Sequence, residues 1–142
     1  MEIQIHQRDP QIQIEESDYR LLIQNVSNEI GLDAESCAFI FVDDKALSKM
    51  HAEYLDDPSE TDVITFNLGD NKIEGEIYIS CNQARVQAKE FGVTAEEEVA
   101  RLIIHGLLHL KGYNDIKDEE RAIMKKLENK LLSQLFPINK KK

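Results

Sequence analysis

Apolar and polar residues alternate at the start of the chain, with Ile3 and Ile5 followed by Ile12 and Ile14. A period of two puts alternate side chains on one face of a sheet, so residues 2–6 and 11–14 read as half-buried strands, with Asp9-Pro10 as the turn between them. From Asp18 the period lengthens. Tyr19, Leu22, Ile23, Val26 and Ile30 share a helical face, Ser17 is placed to cap its start and Gly31 to end it. Residues 37–42 form a short apolar run that fits a buried strand. Asp43-Asp44 then caps a helix with Ala46, Leu47, Met50 and Tyr54 on its apolar face, and Asp57-Pro58-Ser59 breaks it.

Residues 63–66 and 76–79 are β-branched or aromatic runs separated by Gly69-Asp70-Asn71 and Gly75, the pattern of a strand pair. Ser80 with Gln83 and Thr94 with Glu97 are capping boxes that open two helices, stopped by Gly92 and Gly112. A last amphipathic helix carries Ile116, Ile123, Leu127, Leu131 and Leu135. Strands and helices are interspersed, with no linker and no repeat. The pattern predicts one α+β domain over residues 1–142, with a small mixed sheet of about four strands and a buried central helix.

Composition narrows the class. The chain has 142 residues, 42% hydrophobic and 31% charged, enough for one core without disulfide support. No apolar stretch approaches the ~20 residues of a membrane span. Cys37 and Cys81 lie far apart with no CxxC spacing, and the first ten residues lack a signal-peptide layout, so a cytoplasmic location is expected. The net charge of −10 repels nucleic acid at long range, so an RNA-binding role needs a local cationic surface. The terminal Lys140-Lys141-Lys142 reads as a solvated tail.

The chemistry is concentrated in the helix after Thr94. From Leu102 to Leu110 every residue except His105 and His109 is apolar or glycine. A helix that is apolar all round is buried, and a buried imidazole without partners costs about 1–3 kcal/mol. At i,i+4 the two rings leave one face with Cβ atoms ~6 Å apart, a span that lets both bind one metal ion. The alternative is that each ring hydrogen-bonds a core carbonyl or carboxylate. Gly112 allows a sharp exit that returns the chain toward the rings, and Asp115 can then supply an oxygen; alternatively it caps the last helix. Three ligands with a fourth position open is the arrangement of catalytic zinc, and zinc-bound water titrates near pH ~7. Two histidines and a carboxylate also match the Fe(II) facial triad, but nothing in the chain points to an oxidase cosubstrate. The glutamate of the metalloprotease HExxH helix is missing, since Gly106 occupies its place. Glu76, Glu98 and Glu119 remain acidic candidates for the metal's neighbourhood.

The run His105-Gly-Leu-Leu-His109-Leu-Lys-Gly112-Tyr113-Asn114-Asp115 resembles the HGxLHLxGYDH signature of YbeY-type endoribonucleases, the bacterial ribosomal-RNA maturation factors. The resemblance continues through Thr61-Asp62-Val63-Ile64-Thr65-Phe66, through Gly75 to Ser80, and on to Glu119, Met124 and Glu128. It implies one Zn²⁺ per chain on His105, His109 and Asp115, and single-strand-specific RNA cleavage in maturation of the 3′ end of 16S rRNA and ribosome quality control. RNA and the small ribosomal subunit are then the partners. Three positions depart from the family pattern. Asp115 stands where a histidine is usual, Arg101 where a histidine is common, and Leu55 follows Tyr54 where an arginine serves the phosphate. Arg101 is a candidate for neutralising phosphate beside the zinc-bound water; its alternative is a surface ion pair with Glu97 or Glu98. His6 and His51 lack the spacing of ligands. Rival readings are a ribosome-assembly or rRNA-binding factor that does not cut, which Leu55 and the acidic charge favour, and a metal-dependent hydrolase of another substrate.

Overall fold

A computed structural model describes residues 1–9, 15–55 and 62–136. The expected strand at residues 11–14, the break at Asp57-Pro58-Ser59 and the lysine tail lie outside the described residues. The elements run β1 (Glu2–Gln7), α1 (Glu16–Ile30), β2 (Ala34–Val42), α2 (Asp44–Leu55), β3 (Val63–Asn67), β4 (Ile73–Ser80), α3 (Cys81–Phe91), α4 (Ala95–Lys111) and α5 (Asp118–Leu135). They form the expected α+β architecture around one mixed four-stranded sheet, in the order β1-β2-β4-β3. β1, β2 and β4 are parallel, whereas β3 runs antiparallel to β4 and forms an edge.

Strand alternation divides the core. Cys37, Phe39 and Phe41 of β2 and Ile77 and Ile79 of β4 face α1, α3, α4 and α5 in the main core, while Ile40, Val42 and Ile64 meet Leu47 of α2 on the opposite face. Ser80 and Thr94 cap α3 and α4 as the sequence predicts, accepting from the amides of Gln83 and Glu97 at 3.1 and 3.0 Å. Asp43 does the same for α2, through the Ala46 amide. Two expectations shift. Ser17 lies inside α1, because the helix starts two residues earlier and Glu15 holds the cap position without a side-chain bond. In α5 Leu131 is buried and Leu127 and Leu135 pack against the core as expected, and Met124, Glu128 and Leu132 join them, while Ile116 precedes the helix and Ile116 and Ile123 are exposed. The polar Glu128 inside that stripe disguised where it starts.

α4 lies against the sheet at unusually short range. A Cβ on Gly106 would sit 2.8 Å from the Ile77 side chain, and a Cβ on Gly75 would sit 2.5 Å from Leu110. Each glycine thus receives a large side chain from the facing element. The same contact leaves no room for the side chain that follows the first histidine in an HExxH helix, because a Cβ at position 106 already meets Ile77.

Two outcomes test this packing. Gly106→Ala should destabilise the protein by about 1–3 kcal/mol in chemical denaturation, overpacking outweighing the gain in helix propensity. Adding Ile77→Val, which removes the closest methyl, should return part of that loss. Cys37 and Cys81 are both buried, and burial pushes each thiol up to about 12. Both should therefore resist alkylation in the folded protein near neutral pH and react on unfolding.

Candidate metal centre

Three features of the chain between His105 and Asp115 converge on one point. The i,i+4 spacing puts both imidazoles on one side of the last turns of α4. Gly112 ends the helix at φ 121°, a conformation that L side chains rarely adopt, and donates its amide to the His109 and Leu108 carbonyls. The turned chain then presents Asp115. Its Oδ2 lies 3.3 Å from Nε2 of His105 and 3.3 Å from Nε2 of His109, and the two Nε2 atoms are 3.0 Å apart. Among the described residues these three form the group of side chains able to hold a metal ion, with their donor atoms within 4.8 Å of one another. His6 and His51 are not part of it.

The outer ring nitrogens determine what the inner ones do. Nδ1 of His105 is 2.5 Å from the carboxylate of Glu128, and Nδ1 of His109 is 3.0 Å from the carbonyl of Tyr113. Both partners are acceptors, so each Nδ1 carries its hydrogen and each neutral ring turns an Nε2 lone pair inward. Two lone pairs and a carboxylate oxygen then face one another at near-contact distance. That cluster needs a proton or a cation, and two imidazoles with one carboxylate suit Zn²⁺. Burial lowers the basicity of His105. The hydrogen bond and charge of Glu128, with the charges of Asp115 and Asp62, outweigh burial, so the net shift is upward.

Asp115 is not the helix cap. α5 is opened from Lys117, whose amide donates to Glu120 at 3.0 Å, and the Asp115 carboxylate is turned to the histidines instead. Arg101 is not a simple surface ion pair. Its guanidinium donates to Asn129 at 2.7 Å and lies 3.7 Å from Glu128 and 3.6 Å from Glu98; Glu97 is not its partner. Of the three acidic candidates, only Glu98 lines the cleft beside His105. Glu76 accepts from the Tyr78 hydroxyl, and Glu119 is exposed in the first turn of α5. The sequence reading left Glu128 and the Tyr113 carbonyl without a role. For Glu128 the available signal was a carboxylate at i+4 from buried Met124.

Two openings meet at His105 and Asp115. One, of about 540 Å³, runs along edge strand β3 from Asp62 to Asn67, past both histidines. The other, of about 370 Å³, lies between α3, α4 and α5 and shares His105 and Asp115 with the first. In the second, Arg101, Arg121 and Lys125 face the carboxylates of Asp62, Glu98, Asp115 and Glu128. The expected basic cleft is therefore a mixed one, in which the acids outnumber the bases.

A family model described as Endoribonuclease YbeY matches residues 3–136. Relatives named Endoribonuclease YbeY include one from Bacteroides thetaiotaomicron, 39% identical over 78% of this chain and 82% of its own. Another, from Chloroherpeton thalassium, is 35% identical over 87% and 89%. The solution structure of TM1509 from Thermotoga maritima superposes with a TM-score of 0.68 at 28% identity, covering 94% of this chain and 88% of that one.

An ion held by these three residues would be sensitive both to them and to the groups behind the histidines. Asp115→Asn should lose most zinc affinity and Asp115→His should retain it, as read by competition with a chelator. Glu128→Gln should weaken zinc by roughly 10- to 100-fold without touching a ligand. In the metal-free protein His105 holds its proton above the ordinary ~6.5. Its contribution to stability is then fully present below about pH 6.5 and is lost as pH rises through the raised value. Zinc requires the neutral ring, so its affinity should climb with pH until the ring has lost its proton; an affinity that stays flat from pH ~6.5 upward would contradict the assignment.

Proposed function

The chain belongs to the endoribonuclease YbeY family, and on that basis we propose that it is a zinc-dependent hydrolase cutting single-stranded RNA, acting in 3′-end maturation of 16S rRNA on the small ribosomal subunit in the cytoplasm. The observation that carries this reading is the inward pair of Nε2 lone pairs with the Asp115 oxygen, set where two clefts meet. His105, His109 and Asp115 would hold the ion, and no fourth side chain closes the group among the described residues. Zinc when bound supplies a Lewis acid for a phosphoryl oxygen and brings the pKa of water near neutrality.

The protein's own side chains supply position. Glu128 and the Tyr113 carbonyl hold the imidazoles in one tautomer. Asn129 and Glu128 hold the Arg101 guanidinium over the cleft, where it can meet a phosphate. Edge strand β3 forms the far wall, along which an extended strand of RNA can lie. The acids of the cleft oppose phosphate until two positive charges are added beside Asp115, which links RNA binding to metal loading.

The non-cutting assembly-factor reading is favoured by Leu55 in the place of the family's arginine and by the net charge of −10. A defined single-stranded RNA separates the two readings. Zinc-loaded protein should cleave it, and His105→Ala and zinc-stripped protein should not. RNA that is bound but left intact by the loaded protein would support the assembly factor. Binding should also weaken log-linearly with salt and fall sharply when zinc is removed, because the bare cleft has no cationic excess.

A further inference from the structure

Beyond Arg101, the cleft between α3, α4 and α5 is built differently from a phosphate site. Val63, Leu102 and Met124 give it apolar walls, and Phe91, at the end of α3, stands at its rim with 58% of its surface exposed. The ammonium of Lys125 lies 5.8 Å from the Phe91 ring centre. Deeper in, Glu98 is 2% exposed, and its Oε1 accepts no hydrogen bond. The nearest cation, Nε of Arg101, stops at 3.6 Å, beyond hydrogen-bond length. Burial pushes this carboxyl up to about 7, against the pull of Arg101. A buried acceptor without donors is costly, and a ligand bringing N–H groups would offset that cost.

We infer that this cleft is a nucleobase pocket, in which Phe91 with Lys125 forms a stacking rim and Glu98 accepts from the Watson–Crick edge of an unstacked guanine next to the phosphate at His105 and Asp115. Guanine alone among the four RNA bases offers two adjacent donors there, N1–H and N2–H, which match the two oxygens of one carboxylate. Adenine and cytosine set a ring-nitrogen acceptor beside their amino group, and uracil sets carbonyls on both sides of its N–H. A phosphate seated beyond Arg101, at Glu98, would meet a buried carboxylate that accepts no hydrogen bond. A base can enter only when it is unstacked and unpaired, which makes the pocket a selector for single strands. The inference rests on RNA being the substrate, as proposed above.

The test uses zinc-loaded protein and 2′-O-methyl uridine pentanucleotides in which one position in turn carries guanine, hypoxanthine or no base. Binding is read by fluorescence anisotropy, and strand integrity is checked afterwards. Guanine at one position should tighten binding by about tenfold over uracil. Hypoxanthine, which lacks the N2 amine, should recover part of this, and the abasic oligomer none. Glu98→Gln keeps the volume and should erase the guanine preference. Phe91→Ala, at an exposed position that does not threaten folding, should weaken base-bearing oligomers by roughly fivefold or more and leave the abasic one unchanged. Equal affinity for guanine and abasic oligomers at all five positions would overturn the pocket, as would a guanine preference that survives Glu98→Gln. Cleavage of unmodified RNA by the same preparation separates the two proposals. Cleavage without base preference removes only the pocket, and base preference without cleavage removes only the hydrolase.

Discussion

The close seating of α4 on the sheet is the constraint on which the rest of the molecule depends. Two glycines, one on each surface, let Ile77 and Leu110 fill the space a Cβ would take. Had either glycine carried a side chain, the helix would stand away from β4 and the histidines would move with it. Because the helix lies so close, its histidine side comes level with edge strand β3, and the strand and the helix end enclose a cleft between them. The Gly112 turn then needs only to bring Asp115 back a short distance.

Most of this was legible in the chain, and the reasons are local. Side-chain N-caps at Ser80 and Thr94, left-handed glycines at Gly31 and Gly92, and the i,i+4 histidines are all short-range signals, and each appears where the sequence places it. What the sequence hid was long-range. Arg101 reads as half of an ordinary ion pair because its other partners, Glu128 and Asn129, are on a different helix. Asp115 reads equally as a cap or a ligand, since only the folded turn reveals which way the carboxylate points. The stripe of α5 holds at Leu127, Leu131 and Leu135 and fails toward the start of the helix, where a buried carboxylate interrupts it. Polar Glu128 takes a core position, and exposed Ile123 takes the place that apolar periodicity assigned to the buried face.

Glu128 also shows how a single buried carboxylate can serve two neighbours. One oxygen holds the Nδ1 hydrogen of His105 and the other approaches the guanidinium of Arg101. Ring orientation and arginine position are therefore set by the same rigid group on α5, so a displacement of that helix moves both. This helix–helix contact, and not only the signature on α4, defines the geometry of the centre.

The position of the donors along the chain has a thermodynamic consequence. His105, His109 and Asp115 are near neighbours in sequence, so an unfolded chain can still bring them to one ion. A cation with appreciable affinity for the unfolded ensemble stabilises the fold by less than its folded-state affinity implies. The residue that distinguishes the two states is Glu128, which reaches His105 only when α4 and α5 are packed. Coupling between an ion bound there and the fold would therefore reside in the hydrogen bond behind the histidine more than in the three donors themselves.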